Sequence, residues 1–380
     1  MKKTLVAMAA LAVVGAASAQ SSVTLYGAVD TALSGTTVDG GANRIGLINS
    51  GFGSSKLGFM GTEDLGGGLK ANFKLEGGLN SDWGGGKGSN TNNQASGAAA
   101  AAGGGQGLVF GRFAYVGLSG GWGEVRLGND YISTFLIQVS VDPMNTNGVA
   151  DGLNLLFRGG TATGQATVAN ARNSIGYTTP VIAGGLTANV QYWMGENASN
   201  GVGAAASGSG DGFAISARYG NGPIFVGLGT QTTRGTASAT TTGDFTSSSL
   251  AGSYDFGMAK VTYTYSRETI NDALGGVGTQ TTNSTNHLGL IVPFGATNVK
   301  ATYGRSSFSS GAAGVGDVTG TLIGLGADYS LSKRTRLYAN WARVSNDGPF
   351  NVFTTGGFGT VPVGANGATA SWQLGVFHSF

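Results

Sequence analysis

The sequence predicts an all-β protein, a sixteen-stranded antiparallel transmembrane β-barrel with an inward-folded third external loop. Three observations predict this fold. Segments of about ten residues alternate between apolar and polar side chains, the connections between them alternate between short and long, and the 380 residues include 71 Gly, no Cys and only 11% charged residues. Alternating segments of this length, separated by turn residues, are typical of strands that cross an outer membrane.

The first residues predict a cleaved secretory signal, residues 1–19. Lys2 and Lys3 precede an apolar run, and the small residues that end at Ala19 form a cleavage site before Gln20. The run is too short to cross a membrane, and no later stretch holds the ~20 apolar residues that a transmembrane helix needs. Residues 20–380 are therefore expected to be exported as a single β-barrel domain.

The strands follow in order along the mature chain. In the third of them, Lys70, Lys74 and Glu76 share one face and the other face is apolar, so the first face is expected to contact water and the second to contact lipid. The predicted strands are residues 22–33, 55–61, 69–76, 108–118, 122–129, 172–179, 186–195, 212–219, 224–233, 246–255, 258–268, 281–292, 298–308, 318–329, 335–345 and 368–380.

The connections support closure of these strands into a barrel. Short turns alternate with longer connections rich in Gly, Ser, Thr and Asn, as in barrels with short periplasmic turns and long outer loops. A closed barrel leaves no sheet edge unpaired in lipid, which offers no hydrogen-bond partners. A soluble two-sheet sandwich is the alternative, but it needs a common core, and many strand faces here carry only single aliphatic residues between Gly and Ala.

Two long connections differ from the others. Residues 84–107 are rich in Gly, Ala and Asn and nearly uncharged, which predicts a flexible external loop. Residues 129–170 instead contain apolar residues, among them Phe135, Leu136 and Phe157, that cannot remain in water. Because strands flank this insertion, we expect it to fold into the barrel lumen and to set the width and charge of a pore.

Several sequence blocks resemble the Gram-negative general porins, especially their β-proteobacterial branch. They occur in the family's order along the whole mature chain: SSVTLYGAVDTAL near the start, KLGFMGTEDLGGGLKANFKLEGG at 56–78, FGRFAYVGLSGGWGEVRLGN at 110–129, RNSIGYTTP at 172–180, ADYSLSKRTRLYANWA at 327–342 and GVFHSF at the end. The resemblance implies a homotrimer in the outer membrane, with the third external loop folded inside each monomer as a constriction.

The resemblance also implies basic side chains on the barrel wall at the constriction. The matching positions are Lys56, Arg112 and Arg172, where Lys56 replaces the family's Arg and lacks its rigid guanidinium. Strand alternation places these cations on the face of small residues, and it adds Arg126 to them. A charge facing lipid near the membrane midplane would cost ~2–4 kcal/mol, so the four are expected to point inward. The alternative for each is a solvated position near the barrel rim.

In the resemblance, acidic groups of the inserted loop face these cations. The candidates are Asp142 and Asp151, with Asp130 at the root of the loop. The Pro-Glu-Phe-Gly-Gly signature of the enteric branch is missing, and no Glu occurs between residues 129 and 170. The acidic face of the loop is therefore expected to be thin, and which acid opposes which cation stays open.

These features predict a passive diffusion channel for ions and small hydrophilic solutes. Four wall cations against two or three loop acids indicate weak anion selectivity, although Lys74, Glu76 and Glu124 also lie on lumen-facing positions. A channel specific for sugar or phosphate is the main alternative. The expected partners are the other subunits of a homotrimer, outer-membrane lipid and lipopolysaccharide. Nucleic acid is not expected, because the mature chain has no excess of basic residues.

The last strand carries a separate signal. Trp372, Leu374, Val376, His378 and Phe380 share one face, and the pattern resembles the C-terminal signal read by the barrel assembly machinery. We therefore expect Phe380 to act as an assembly signal and His378 to be an interfacial side chain. Aromatic residues near other strand ends are candidates for the interfacial girdles; these are Tyr192, Trp193, Tyr263, Tyr265, Tyr338 and Trp341.

An outer-membrane barrel enzyme is the remaining alternative. A lipase or protease needs a His beside an activated nucleophile. The chain has only His287 and His378, and no nucleophile motif accompanies them. Metal-ligand spacings and phosphate-binding loops are also missing from the sequence, so we expect no catalytic residues, no metal and no cofactor.

Overall fold

The computed structural model describes residues 22–87, 109–156, 169–197, 199, 207–238, 241–271, 279–358 and 362–380. The predicted signal, residues 1–19, lies outside these residues, as does most of the predicted Gly-rich loop at 84–107. In the described part of the chain, no helix has the length and apolar character needed to span a membrane.

The described residues are almost entirely β-structure. The strands are β1 Ser22–Val38, β2 Arg44–Asn49, β3 Lys56–Gly66, β4 Leu69–Leu79, β5 Gly86–Lys87, β6 Phe113–Gly120, β7 Gly123–Tyr131, β8 Asn170–Thr178, β9 Leu186–Trp193, β10 Gly212–Asn221, β11 Ile224–Thr233, β12 Thr236–Ser238, β13 Thr241–Thr242, β14 Phe245–Asp255, β15 Lys260–Asn271, β16 Gln280–Phe294, β17 Thr297–Ser309, β18 Val318–Ser330, β19 Thr335–Asp347 and β20 Ala368–Ser379. A short helix, α1 Ser133–Val139, and a 3₁₀ helix, Gly152–Leu155, lie between β7 and β8.

The strands close into one antiparallel barrel. Consecutive wall strands pair with each other, and β1 pairs with β20 from Ala28↔Ser379 to Val38↔Thr369. β2 and β3 share the second wall position because both pair with β1, and β5 and β6 both pair with β4. Over the described residues the wall therefore has sixteen strand positions, as predicted. β12 and β13 form a separate hairpin.

Short and long connections alternate around the barrel, which confirms the predicted asymmetry. β6 ends at Gly120 and β7 begins at Gly123, whereas β7 ends at Tyr131 and β8 begins at Asn170. The short turns use glycine where the backbone needs a positive φ, for example at Gly67, where φ is 61°. Other residues rarely adopt this conformation.

Side-chain facing also follows the predicted alternation. In β1 the apolar Val23, Leu25 and Val29 are exposed on the outer surface, whereas Asp30 and Ser34 are fully buried inside the barrel. In β20, Trp372 and alternate residues after it form an exposed outer stripe.

Two predicted girdle residues are corrected by the structure. Trp193 is fully buried and packs with Ile132 and Ala171 inside the barrel, and Tyr338 is buried with its hydroxyl bonded to Asp30. Both residues occupy inward positions of their strands, so their aromatic character alone was not enough to predict a position in the interfacial girdle. The other four girdle candidates take outward positions.

The third long connection lies inside the barrel, as the sequence predicted. We call residues 132–169 the lumen loop, of which 132–156 and 169 are described; Phe157 lies outside the described residues. Its α1 contacts β9, β10, β11 and β14, and its 3₁₀ helix contacts β17 and β18. Ile137 and Leu155 are 1% and 0% exposed. Burial of these side chains against the wall stabilises the loop inside the lumen.

Glycines on the inner wall let the lumen loop lie close to the strands. A methyl group on Gly324 of β18 would lie 2.8 Å from Ala150 Cβ, and one on Gly289 of β16 would lie 2.7 Å from Pro143 Cγ. These separations are well below the optimal ~3.5–4.0 Å between carbon atoms. The loop therefore follows the wall from β9 to β18 and leaves the side of β3, β4 and β6 open.

Candidate pore constriction

Three cations on the open side of the lumen surround one buried carboxylate. Glu76 of β4 is 1% exposed. Its carboxylate lies 2.5 Å from Arg112 Nε, 3.7 Å from Lys74 Nζ and 4.0 Å from Lys56 Nζ. Tyr26 also donates a hydrogen bond to Glu76 Oε2 at 2.8 Å. We call Lys56, Lys74, Arg112 and Glu76 the basic wall cluster; it carries two more positive charges than negative ones.

Strand pairing brings the basic wall cluster together. Lys56 of β3 pairs with Gly78 of β4, so no bulky side chain separates it from Glu76 two residues earlier. The backbone N–H of Arg112 donates to the backbone oxygen of Glu76 at 3.0 Å, which places the guanidinium beside the carboxylate. Lys74 shares the inward face of β4 with Glu76, and its ammonium lies 3.7 Å from the centre of the Phe113 ring.

A cavity of about 400 Å³ separates the basic wall cluster from the lumen loop. Lys56 and Arg112 line one side of it, and Phe135, Leu136 and Val139 of the loop contribute to the other. Asn145, Thr146 and Asn147 add polar, uncharged groups. Among the described residues that line this cavity none is a carboxylate, so the two cations face an apolar and neutral polar surface.

The predicted loop acids bind the backbone of the lumen loop itself. Asp142 accepts hydrogen bonds from the backbone N–H groups of Met144 at 2.7 Å and Gly152 at 2.9 Å. Asp151 caps the 3₁₀ helix by accepting from Leu153 N at 2.7 Å. Neither residue lines the cavity at Lys56 and Arg112, so the structure does not bring these acids together with the wall cations there. Their part in the constriction stays a prediction.

Arg126 and Asp130 form a second cluster on β7. Arg126 donates from Nη1 to Asp130 Oδ2 at 3.1 Å and from Nη2 to Glu124 Oε2 at 2.9 Å. Its guanidinium also lies 4.6 Å from the centre of the Tyr115 ring. The three charged groups sum to one negative charge. They line a separate, smaller cavity, nearer the short turns than the one at Lys56.

Arg172 lies at an irregularity in β8 that the sequence does not reveal. The pairing of β7 with β8 shifts between Gly128 and Asp130, and Asn173 has a φ of 52°. Such a bulge interrupts the two-residue alternation of side chains, on which the inward orientation of Arg172 was predicted. Arg172 is half-buried and is not among the described residues that line the cavity at Lys56 and Arg112.

The sequence analysis missed a third charged cluster, which lies on β17, β18 and β19. Asp328 of β18 is buried, 2.8 Å from Lys300 Nζ and 3.4 Å from Arg336 Nη1. Both cations lie over the Phe52 ring, at 4.9 and 5.3 Å from its centre. The available signal was that these charged residues occupy inward positions of three adjacent strands.

Asp30 is a second residue that the sequence analysis did not interpret. It is fully buried, and its Oδ2 accepts from the backbone N–H groups of Phe52 and Gly53, each at 2.7 Å. Tyr338 donates to Oδ1 at 2.5 Å. These bonds hold residues 50–55, which we call the inward segment, against the wall between β2 and β3.

The inward segment and β20 together hold the middle of the lumen loop. Ser54 Oγ donates to Asn147 Oδ1 at 3.2 Å. Gln373 of β20 donates to the backbone oxygen of Gly51 at 2.7 Å and accepts from Val149 N at 3.2 Å. The loop is therefore fixed by hydrogen bonds at the point where it turns back along the wall.

A closed antiparallel barrel with a polar interior, apolar outer strands and a loop folded across its lumen defines a transmembrane channel of the outer-membrane type. Comparison with known proteins agrees with this class. The family model described as Gram-negative porin matches residues 4–349. The chain belongs to this porin family, and it is therefore an outer-membrane diffusion channel.

Individual relatives are similar over nearly their whole length. The chain is 34% identical to outer membrane porin protein 32 of Delftia acidovorans, over 100% of both chains. It is 32% identical to an outer membrane porin protein of Bordetella pertussis, over 91% of this chain and 95% of the relative. The structure of an anion-selective porin from Comamonas acidovorans has a TM-score of 0.79 and 31% identity, over 95% of this chain and 100% of that chain. These relatives are channels rather than enzymes.

Proposed function

We propose that this chain is a general diffusion channel for ions and small hydrophilic solutes with a weak preference for anions. The observation that carries the proposal is the cavity beside the lumen loop, where Lys56 and Arg112 meet no lining carboxylate among the described residues. Glu76 lies behind these cations and offsets one of their charges. An anion in the cavity is therefore favoured, but only by the remaining excess of positive charge.

The sign of selectivity has independent support. The Comamonas acidovorans porin, 31% identical to this chain, is described as anion-selective. The cluster of Lys300 and Arg336 around Asp328 adds a further positive charge to the lumen wall. Of the three charged clusters described above, the one at Arg126 has an excess of negative charge, and it lines a different cavity.

Reversal potentials in a KCl gradient across a planar bilayer test this proposal. We expect the sign of the reversal potential to indicate a preference for Cl⁻. In the Arg112→Gln variant we expect the reversal potential to be closer to zero. Arg343→Gln is the matched control, because Arg343 is exposed at an outward position of β19. A K⁺ preference in the unmodified protein would contradict the proposal, and so would equal shifts in the two variants.

We also infer that the channel assembles as a homotrimer and has no catalytic role. The trimer is supported by the family resemblance of the sequence blocks. The absence of catalysis is supported by the relatives, which are channels. Mass measurement of the detergent-extracted protein tests the homotrimer, and a monomer would overturn it. A hydrolysis screen with ester and peptide substrates tests the absence of catalysis, and a turnover signal would overturn it.

A further inference from the structure

Three arginines form a row on the outer surface of the barrel. They are Arg267 of β15, Arg305 of β17 and Arg343 of β19, and we call them the outer arginine row. All three are exposed at outward positions of strands that run in the same direction. Each lies four residues before the end of its strand. The three guanidinium groups are therefore at a similar height on the barrel.

The outer arginine row lies near the end of the barrel that carries the long connections. The strands of the row are followed by the connections 272–279, 310–317 and 348–367. At the opposite end, β16 and β17 are joined by 295–296 alone. Long connections face the outside of the cell in outer-membrane barrels, so the row lies on the side of the outer leaflet.

At the level of the row, the outer surface changes from apolar to polar. On β16 the change falls between Leu288 and Asn286, and on β18 it falls between Ile323 and Thr321. Arg305 pairs with both Asn286 and Thr321. A charge at the edge of the apolar band is tolerated far better than one at the membrane midplane, and this edge is where lipid headgroups begin.

The same three-residue pattern recurs on each strand of the row. An aromatic side chain lies two positions from the arginine on the short-turn side, and a hydroxyl group lies two positions from it on the other side. The aromatic residues are Tyr265, Tyr303 and Trp341, and the hydroxyl residues are Thr269, Ser307 and Ser345. Tyr and Trp are typical of the membrane–water interface. The arginines and hydroxyl groups just beyond them are therefore expected among the headgroups.

The charge of the outer arginine row is not balanced on this face. Within the described part of the chain, no carboxylate forms an ion pair with any of the three arginines. Asp347, at the end of β19, is the one acidic residue at an outward position of β15 to β19. An exposed guanidinium can bind a phosphate group through two parallel hydrogen bonds. The face is thus complementary to phosphate in headgroups.

The width of the row favours a lipid that carries more than one phosphate group. Neighbouring strands are ~4.8 Å apart, so the row extends over roughly 19 Å from β15 to β19. Below it, the apolar outward residues, among them Leu288, Leu290, Ile323 and Leu325, are exposed and can contact acyl chains.

We propose that the outer arginine row binds the phosphate groups of lipopolysaccharide in the outer leaflet. The acyl chains of the bound lipid lie along the apolar surface of β15 to β19, and the hydroxyl groups of Thr269, Ser307 and Ser345 contact its headgroup. This role goes beyond the channel function, because the row faces away from the lumen and from the cations that act on passing ions.

Native mass spectrometry of the folded, detergent-solubilised protein measures the binding of lipid A that carries two phosphate groups. The comparison is the same lipid A with both phosphates removed. We expect the phosphorylated lipid to bind about 100-fold more tightly, from roughly fivefold for each arginine near an anionic surface. This comparison uses the unmodified protein, so it does not depend on the folding of a variant.

Two double variants locate the binding site. Arg305→Gln with Arg343→Gln should weaken the binding of phosphorylated lipid A about 25-fold, by the same fivefold effect per charge. Lys333→Gln with Arg334→Gln is the matched control, because it also removes two exposed cations, but from the short turn at the opposite end of the barrel. Its effect should be less than about twofold. Arg305→Lys with Arg343→Lys keeps both charges and should keep most of the binding.

Several results would overturn the proposal. Equal affinity for the two forms of lipid A would show that phosphate is not recognised, and equal losses in the two glutamine variants would place the site elsewhere. Phosphatidylglycerol bound as tightly as lipid A would mean that the row binds any anionic phospholipid. Displacement of lipid A by inorganic phosphate at equal concentration would mean that the row binds free anions.

Discussion

At the scale of single residues, Glu76 sets how strongly the basic wall cluster acts on passing ions. It contacts three cations at 2.5, 3.7 and 4.0 Å and is nearly inaccessible to solvent. The three cations are partly exposed, so water can solvate them when the charge of the Glu76 carboxylate is removed. Removing its charge should therefore change the electrostatics of the lumen more than the fold.

We expect Glu76→Gln to increase anion selectivity. Loss of one negative charge ~8 Å from a passing ion changes the energy of that ion by about 0.5 kcal/mol in water, with opposite signs for Cl⁻ and K⁺, or roughly sixfold in their permeability ratio. Reversal potentials in a KCl gradient measure this ratio. Glu63→Gln, at an exposed position of β3, is the control. A shift toward K⁺ in Glu76→Gln would show that Glu76 does not offset the wall cations.

A different residue, Asp30, is expected to control the noise of the current through the open pore. Its carboxylate accepts from two backbone amides of the inward segment and from Tyr338. Asp30→Asn should weaken these bonds, lower the free energy of unfolding by about 1–3 kcal/mol and increase the noise of the open channel. Thermal unfolding and single-channel recording measure the two effects.

Tyr338→Phe is the graded comparison for Asp30, because it removes one of the three bonds and keeps the ring. Its effect on noise should be smaller than that of Asp30→Asn. A quiet channel in Asp30→Asn would show that the inward segment is held by its other contacts, such as the bond from Gln373 to Gly51.

The sequence predicted which residues face the lumen better than it predicted which of these side chains contact one another. Alternation correctly placed Lys56 and Glu76 on inward positions. It does not account for Arg112, because Phe113 and Tyr115 occupy the inward face of β6 and Arg112 reaches Glu76 from just before that strand. That all three join one cluster depends on the register between β3, β4 and β6, which alternation does not specify. The bulge beside Arg172 was equally hidden, since an extra residue in a strand leaves no mark in composition.

At the scale of elements, the inner-wall glycines determine the position of the lumen loop. We expect Gly324→Ala to push the loop toward the basic wall cluster and to lower the single-channel conductance, because the new methyl group would lie between Thr302 Cγ2 of the wall, at 2.5 Å, and Ala150 Cβ of the loop, at 2.8 Å. Overpacking of this kind costs about 1–3 kcal/mol. Gly252→Ala is the control, where the added methyl group would lie 3.4 Å from the nearest atom. Equal conductance in both variants would mean that the loop has room to adjust.

A cross-link tests whether the loop is already fixed. The chain has no cysteine, so Ser54→Cys combined with Asn147→Cys introduces a single pair at a point where the two side chains are 3.2 Å apart. We expect the oxidised protein to keep the conductance of the reduced one. A marked fall on oxidation would show that the loop normally moves away from the inward segment.

The elements themselves were largely predictable. The apolar content of residues 129–170 was enough to predict burial inside the lumen, because such a segment between strands has no other place to avoid water. The path of the loop was not predictable, since it depends on glycines of distant strands such as Gly289 and Gly324, which a Gly-rich sequence does not distinguish from the others.

At the scale of the whole molecule, the C-terminal residue takes part in closing the barrel. Phe380 exchanges two backbone hydrogen bonds with Gly27, at 3.1 and 3.0 Å, and its ring occupies the space beside the glycine. Deletion of Phe380 should therefore prevent assembly, by removing both the closing pair and the terminal aromatic. Heat-modifiable mobility of the membrane-inserted protein on gels measures folding.

Phe380→Tyr is the control for that deletion, because it keeps the aromatic ring and the backbone pair. It should assemble normally. Normal yields of folded protein from the deletion variant would contradict the role assigned to Phe380.

The supports of the lumen loop also impose an order on folding. Its middle is held by Gln373 in the last strand and by the inward segment, which Asp30 in the first strand binds directly. These groups come within reach of one another only once β1 has paired with β20. The constriction is therefore expected to be the last part of the molecule to form, so a barrel that has inserted but not yet closed would pass solutes larger than the finished channel admits.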